Sequence, residues 1–340
     1  MKAGVDTNLE LKIGLASAGR LGPDLAGACG RVEGIRLTGV YDPEHELTAV
    51  SGVKSFQALD EFLQSDVFDA LILATPVESR AEITLQAMKL GCSALVDGPI
   101  STDPVVIEEV ASLVTSSRGK LVCGVVRPYR LTERSQKLKE LTEGAFGRPH
   151  RVHWTLTNRF LPENFFADDE DQQLNSLGSL TRQLSEELDL LLWLCGEPED
   201  VEVSRCVGKH HDAAVEDEIF ARFAWGDGTT GSLIASSGEI PGIDRLELTG
   251  DRGMIVSEVD QPIRWTRCET SVEEFSRTTE DSSQRPPLWE IEIPAKTVSS
   301  DTLLEASLID FVEAFRFGGK TITDSRDELN LLRLMEQLSH

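Results

Sequence analysis

Ile13-Gly14-Leu15-Ala16-Ser17-Ala18-Gly19-Arg20-Leu21-Gly22 is the stretch on which the fold turns. A brief apolar run, Leu11 to Ala16, meets a turn with glycines at 19 and 22 and then passes into a new segment. This is the strand, turn and helix of a dinucleotide fingerprint, G-x-G-x-x-G. Its first glycine makes the tight turn, its second lets the backbone approach a pyrophosphate, and its third packs helix on strand. Ser17 stands at the first position. Its Cβ disfavours positive φ, while its hydroxyl is a candidate phosphate contact. A second apolar run, Ile35 to Tyr41, ends at Asp42. An acid there accepts hydrogen bonds from the ribose 2′-OH of NAD and repels the 2′-phosphate of NADP. Ser17, Gly19, Arg20, Leu21 and Asp42 are therefore candidate cofactor contacts, with NAD favoured over NADP.

Moving outward, Ala70 to Ala74, Ala94 to Val96 and Leu121 to Val125 are also brief, apolar and partly β-branched, as strands buried on both faces are. Between them Ser79 to Leu90 and Pro104 to Ser116 carry apolar residues at helical spacing. Alternation of this kind predicts right-handed β-α-β units and a doubly wound parallel sheet, a Rossmann domain over 1–149 ending near Arg148-Pro149.

Beyond that point the rhythm changes. Val152 to Leu156, Val201 to Cys206, Ile219 to Trp225, Thr229 to Ala235, Asp244 to Leu248, Met254 to Val256 and Ile263 to Arg267 read as strands joined by turns. Gly226-Asp227-Gly228 and Gly250-Asp251-Arg252-Gly253 are two such turns. The prediction is a predominantly antiparallel sheet domain over 150–340, so the chain as a whole is α/β plus α+β. One long helix, Leu180 to Cys195, interrupts the strands and stops at Gly196. Two more, Thr302 to Phe317 and Asp324 to Leu338, finish the chain, either within this domain or packed back on the first. Phe165 to Gln173 and Glu269 to Pro287 read as polar loops, the second as a mobile one.

Composition sets the outer limits. The 340 residues are 40% hydrophobic, enough for two cores. The net charge of −25, with no Lys/Arg stripe to offset it locally, excludes nucleic acid as a partner. The opening residues have no apolar core of the kind a secretory leader needs, and no stretch has the length of a membrane span, so a cytoplasmic protein is expected. The six cysteines show no C-x-x-C spacing and mostly lie in apolar runs, which implies neither a disulfide framework nor a zinc site.

With these segments in view, the chain resembles the Gfo/Idh/MocA oxidoreductases. Asp69-Ala70-Leu71-Ile72-Leu73-Ala74-Thr75-Pro76 is similar to that family's D-A-V-x-I-A-T-P strand end, and Asp97-Gly98-Pro99 to its E-K-P turn. Gly124 to Tyr129, Gly144 to Pro149, Asp189 to Gly196 and Ser307 to Thr323 resemble later family motifs in the same order. The resemblance adds Thr75, Pro76 and Asp97 to the cofactor contacts. It implies NAD(P)-dependent oxidation or reduction of a sugar or polyol-like substrate, and a homo-oligomer formed through the second sheet.

The catalytic positions depart from the family. Its E-K-P lysine lies beside the nicotinamide, and its D-x-G-x-H-x-x-D helix supplies an aspartate and a histidine. Here Gly98 stands for the lysine, Arg182 for the aspartate and Glu186 for the histidine. A glycine cannot move a proton. Glu186 is the one matching candidate base. Arg182, four residues earlier, makes an ordinary i, i+4 ion pair the plainer reading. If Arg80, Arg127 and Arg182 converge on the cleft, a small anionic ligand becomes a candidate. The alternatives are a catalytically silent NAD(P)-binding sensor or regulatory protein, and a structural subunit that has lost the cofactor. His210-His211 reads as a solvated turn and His150 and His153 as solvent-facing, with no metal site implied.

Overall fold

A computed structural model describes residues 10–17, 22–43, 52–163, 178–212, 216–296 and 299–339. The chain divides into two compact units, Met1–Leu131 with Val298–Leu332, and Thr132–Thr297 with Arg333–His340. The division falls between Leu131 and Thr132, ahead of the 149/150 boundary expected from sequence, because Thr132 caps a helix belonging to the second unit. Its hydroxyl accepts the Ser135 N–H at 3.1 Å.

In the first unit the elements run β1 (Leu11–Ser17), α1 (Gly22–Arg31), β2 (Ile35–Tyr41), β3 (Lys54–Phe56), α2 (Leu59–Leu63), β4 (Ala70–Ala74), α3 (Val77–Lys89), β5 (Ser93–Asp97), α4 (Pro104–Ser116) and β6 (Cys123–Val126). The six strands form one parallel sheet in the order β3-β2-β1-β4-β5-β6. Every side chain of β4 is buried, as a strand covered on both faces requires. The order reverses at β1, with β2 on one side and β4 on the other. That is the switch point where open α/β sheets bind ligands, outside the carboxyl ends of the strands.

α9 (Ser300–Phe317), from the far end of the chain, belongs to this unit. Its Leu304, Leu308, Phe311 and Val312 join Leu25, Ala28, Ile13 and Ile35 in one buried cluster. Ser299 starts the helix by accepting the Thr302 N–H, and Gly318, at φ 70°, stops it in the left-handed conformation.

The second unit contains α5 (Glu133–Glu143), β7 (Pro149–Leu156), α6 (Ser179–Gln183), α7 (Ser185–Cys195), β8 (Asp200–Val207), β9 (Glu216–Ala224), β10 (Thr230–Ser236), β11 (Asp244–Gly250), β12 (Gly253–Glu258), β13 (Ile263–Cys268), α8 (Val272–Thr278) and β14 (Leu288–Ile293). Its eight strands order as β14-β13-β12-β11-β7-β10-β9-β8, antiparallel throughout except for the parallel β7–β10 pair. α10 (Ser325–Ser339) begins in the first unit and ends in the second.

Two expectations are corrected. The helix predicted over 180–195 is two helices, because Leu184, at φ −92° and ψ 5°, ends α6 and precedes α7. Arg182 and Glu186 therefore lie on different helices. The loop predicted over 269–287 contains α8, whose N-terminus is held by the Ser271 hydroxyl accepting from the Glu274 N–H at 3.0 Å. The acidic run Asp168 to Asp171 lies outside the described residues.

Candidate functional site

The parallel sheet gathers the sequence-predicted cofactor residues of the first unit. Ser17 ends β1, Asp42 follows β2, Thr75 and Pro76 follow β4, and Asp97 ends β5, all at carboxyl ends of neighbouring strands. Register fixes their juxtaposition: Ala16 pairs with Tyr41, Ser17 with Ala74 and Leu73 with Val96. Gly19, Arg20 and Leu21 lie outside the described residues. Ser17 is buried, and a Cβ built on Gly22 would lie 1.8 Å from its hydroxyl oxygen. The last fingerprint glycine thus lies directly against the serine at the first position, and a side chain at 22 would require that hydroxyl to move. Asp42 is buried too. Thr75 is 2% exposed and its hydroxyl has no hydrogen-bond partner among the described residues. The hydrogen-bonding capacity of this buried hydroxyl is left unused by the described residues.

Next to these residues sits a compact charge network. Arg80, buried on α3, donates to the Thr75 carbonyl from Nε at 2.9 Å and to the Pro99 carbonyl from Nη1 at 2.8 Å, and it approaches the Asp97 carboxylate at 3.4 Å. It ties the ends of β4 and β5 together. Burial pushes the Asp97 carboxyl up, against the pull of Arg80 and Arg127 and with the push of Glu328. Arg127, just past β6, makes a forked pair with Glu328 of α10, with Nε to Oε2 at 3.2 Å and Nη2 to Oε1 at 3.0 Å. Both side chains are buried.

Gly98 follows Asp97 in a cis Gly98–Pro99 peptide. A Cβ there would stand 2.9 Å from Cζ and from Nη2 of Arg127, and 3.0 Å from a Val125 methyl. The guanidinium fills the space a side chain at 98 needs. Arg80 and Arg127 each donate to partners within the first unit, and Arg182 belongs to α6 of the second.

In the second unit the residues past β7 and at the start of β11 meet α7. The Trp154 Nε1–H donates to Asp244 Oδ1 at 3.0 Å, and Arg159 Nη2 bridges Asp244 Oδ2, at 3.6 Å, and Glu187 Oε1. Glu187 is 2% exposed and its Oε2 has no hydrogen-bond partner among the described residues. Burial raises its carboxyl, with Arg159 opposing, and burial likewise raises Asp244 against the Trp154 hydrogen bond. Sequence reasoning chose Glu186 and passed over Glu187 and Arg159. The helix that holds Glu187 also carries Ser185, Glu186 and Asp189, so no local signal singled Glu187 out. Glu186 and Arg182 are half-buried on either side of Leu184.

The expectations for His211 and His153 are corrected, whereas His150 is exposed as expected. His211 is buried, with Nε2 2.9 Å from the Leu161 carbonyl and Nδ1 3.5 Å from Asp217. The Asp217 carboxylate also accepts the backbone N–H groups of His210 and His211, which folds the turn inward. His153 lies between Ser232 at 2.7 Å and Thr155 at 3.2 Å. Among the described residues no three His, Cys, Asp or Glu side chains group as a metal cage. None of the described helices is long and apolar enough to cross a membrane.

Known proteins supply the family. Residues 11–125 match the oxidoreductase family with the NAD-binding Rossmann fold, and residues 135–256 match the GFO/IDH/MocA C-terminal domain. The chain belongs to the Gfo/Idh/MocA family. It is 30% identical over 199 residues to inositol 2-dehydrogenase 4 of Saccharopolyspora erythraea, a stretch that covers 56% of either chain. The match thus spans little over half the length of that relative. It is 23% identical to the inositol 2-dehydrogenase of Rhizobium meliloti with 96% of both chains covered. The WlbA dehydrogenase of Bordetella pertussis, solved with NADH and UDP-GlcNAcA, superposes with a TM-score of 0.76 at 19% identity, covering 98% of this chain and 95% of that one. The likeness is one of fold, two units with a six-stranded parallel sheet and an eight-stranded mostly antiparallel one.

Proposed function

We propose that this Gfo/Idh/MocA oxidoreductase binds NAD in preference to NADP and acts on a sugar or polyol-like substrate, with carboxylates in place of the family's lysine, aspartate and histidine. The observation that carries the reading is the set of strand ends holding Ser17, buried Asp42 and the orphan hydroxyl of buried Thr75. These residues fit a dinucleotide: Asp42 would accept from a ribose hydroxyl, Thr75 would pair with a polar group, and Gly22 keeps the helix start close to β1. When bound, a nicotinamide supplies the carbon that takes or gives the hydride.

What remains for the chain is the hydroxyl proton. Gly98, Arg182 and Glu186 stand where the family's resemblance puts lysine, aspartate and histidine, so the usual relay is missing. Glu186 is the base offered by position. Glu187 beside it has a carboxyl raised by burial, the direction that makes a carboxylate a stronger base. Asp244, raised in the same way, shares Arg159 with it. A pair of carboxylates around one guanidinium holds one negative charge more than it compensates, and a proton is the natural counterion.

A second reading is binding without turnover. It draws on the Arg127 guanidinium, which fills the side-chain space at 98 and is already neutralised by Glu328. Inositols, aldoses and sugar acids screened with NAD and NADP by absorbance at the reduced nicotinamide band separate the two. Cofactor reduction with any of them supports the first reading. Tight binding with no turnover across the panel overturns it in favour of the second.

A further inference from the structure

One end of the second unit's sheet contains a pocket of about 540 Å³, walled by Phe146, Arg148, His150, Asp251, Arg252 and Arg267. Three structural pieces build it: the connection from α5 to β7, the turn from β11 to β12, and the end of β13. β11 runs from Asp244 at the Arg159–Glu187 network to Gly250 at this pocket, so the two lie roughly 20 Å apart at opposite strand ends. The pocket is therefore separate from the carboxylate cluster and independent of the cofactor reading.

Its charge is out of keeping with the chain. Fifty-eight acids face 33 Lys and Arg overall, yet three guanidiniums border this one space. Arg148 is balanced by Asp227 at 2.6 Å. Arg252 is held in place through its backbone carbonyl, which accepts from the Trp265 indole at 3.0 Å and from the Cys268 N–H at 3.1 Å. Its side chain reaches a single carbonyl, that of Glu269, at 3.4 Å. Arg267 lies over the Trp265 ring at 5.4 Å and makes no hydrogen bond or ion pair among the described residues. The one acid in the wall, Asp251, accepts the Glu273 N–H at 2.9 Å at the start of α8 and forms no ion pair with the three guanidiniums among the described residues. Stacking on Trp265, which itself packs edge-on against Phe146 at 6.2 Å, fixes the plane of the Arg267 fork. A guanidinium whose rotamer is held by stacking loses little freedom when it accepts a partner.

We infer that this pocket binds a small oxyanion-bearing molecule, a phosphate or a polycarboxylate, through Arg252 and Arg267 with His150 beside them. Forked guanidiniums match the paired oxygens of either group. The volume accommodates a small metabolite.

Calorimetric titration of the full chain with inorganic pyrophosphate and, separately, with citrate at low salt tests it. At least one should bind with a dissociation constant below about 1 mM, and the affinity should fall about tenfold or more in Arg252→Gln and in Arg267→Gln. Arg267→Lys, which keeps the charge and loses the fork, should fall between. Both arginines are polar wall residues, so thermal unfolding of the variants should stay close to the parent. Pyrophosphate binding alone assigns a phosphate ligand, and citrate binding alone a carboxylate one. Absence of binding for both up to about 10 mM, or binding that none of the substitutions weakens, overturns the inference.

Discussion

At position 98 a missing side chain carries as much information as a present one. Sequence alone reports that glycine stands where a lysine belongs. The structure adds the reason, an Arg127 guanidinium 2.9 Å from where a Cβ would go, locked in a fork with Glu328. Gly98→Ala should cost about 1–3 kcal/mol in urea unfolding, because the arginine cannot withdraw without breaking a buried ion pair. In an Arg127→Met, Glu328→Leu background, where both charges are replaced together, the same substitution should cost close to nothing. Equal costs in the two backgrounds would show that Arg127 is not the obstacle.

Glu187 offers a second test at the same scale. Burial raises its carboxyl, so the fold favours the protonated form. That contribution is complete below the ordinary glutamate value and is lost as pH rises through the raised one. Glu187→Gln carries a neutral group at every pH. The parent's melting temperature minus the variant's should therefore fall over the window that opens at the ordinary glutamate value, about 4.5, and extends upward. A difference that grows over that window would mean that Arg159 outweighs burial and holds the carboxyl down.

Among the elements, those with strong local signals were legible and those made by distant partners were not. β1, β4 and β5 announce themselves as short apolar runs, and both predicted helices between them are present as α3 and α4. β14, with its exposed Leu288 and Trp289, had a readable signal in the apolar–polar alternation from Trp289 to Ile293, set just after a polar loop, and it pairs with β13. α8 had a readable signal, the capping box Ser271-Val272-Glu273-Glu274, submerged in polar composition. The break at Leu184 had none, since the run from 180 to 195 keeps helical spacing across it. α9 shows the long-range rule most clearly: its helical pattern was plain, but its place against α1 depends on which apolar faces remain to be covered. Phe311 is fully buried in that contact. Phe311→Ala should destabilise the protein by about 3–5 kcal/mol in denaturant unfolding. A loss under about 1 kcal/mol would mean that α9 is not an integral part of the first unit's core.

On the proposed reading, the whole molecule keeps a cofactor-binding unit and has a proton relay different from the family's. The candidate contacts Ser17, Asp42 and Thr75 were legible as strand ends, because the sheet dictates where those ends lie. The relay was only half readable. Sequence could register the loss at 98, 182 and 186, but not that Arg159, Glu187 and Asp244 gather, since these come from β7's exit, α7 and β11. The −25 charge gives a further reason for Asp42 to matter, as a general negative field adds to its rejection of an extra phosphate. The most direct test is a fluorescence titration of the full chain with NADH and NADPH side by side, repeated with Asp42→Ala. The account predicts NADH binding in the range of about 1–100 μM, roughly tenfold or more tighter than NADPH, with the preference lost in the variant. Binding of neither cofactor, or a preference that Asp42→Ala leaves intact, would contradict it.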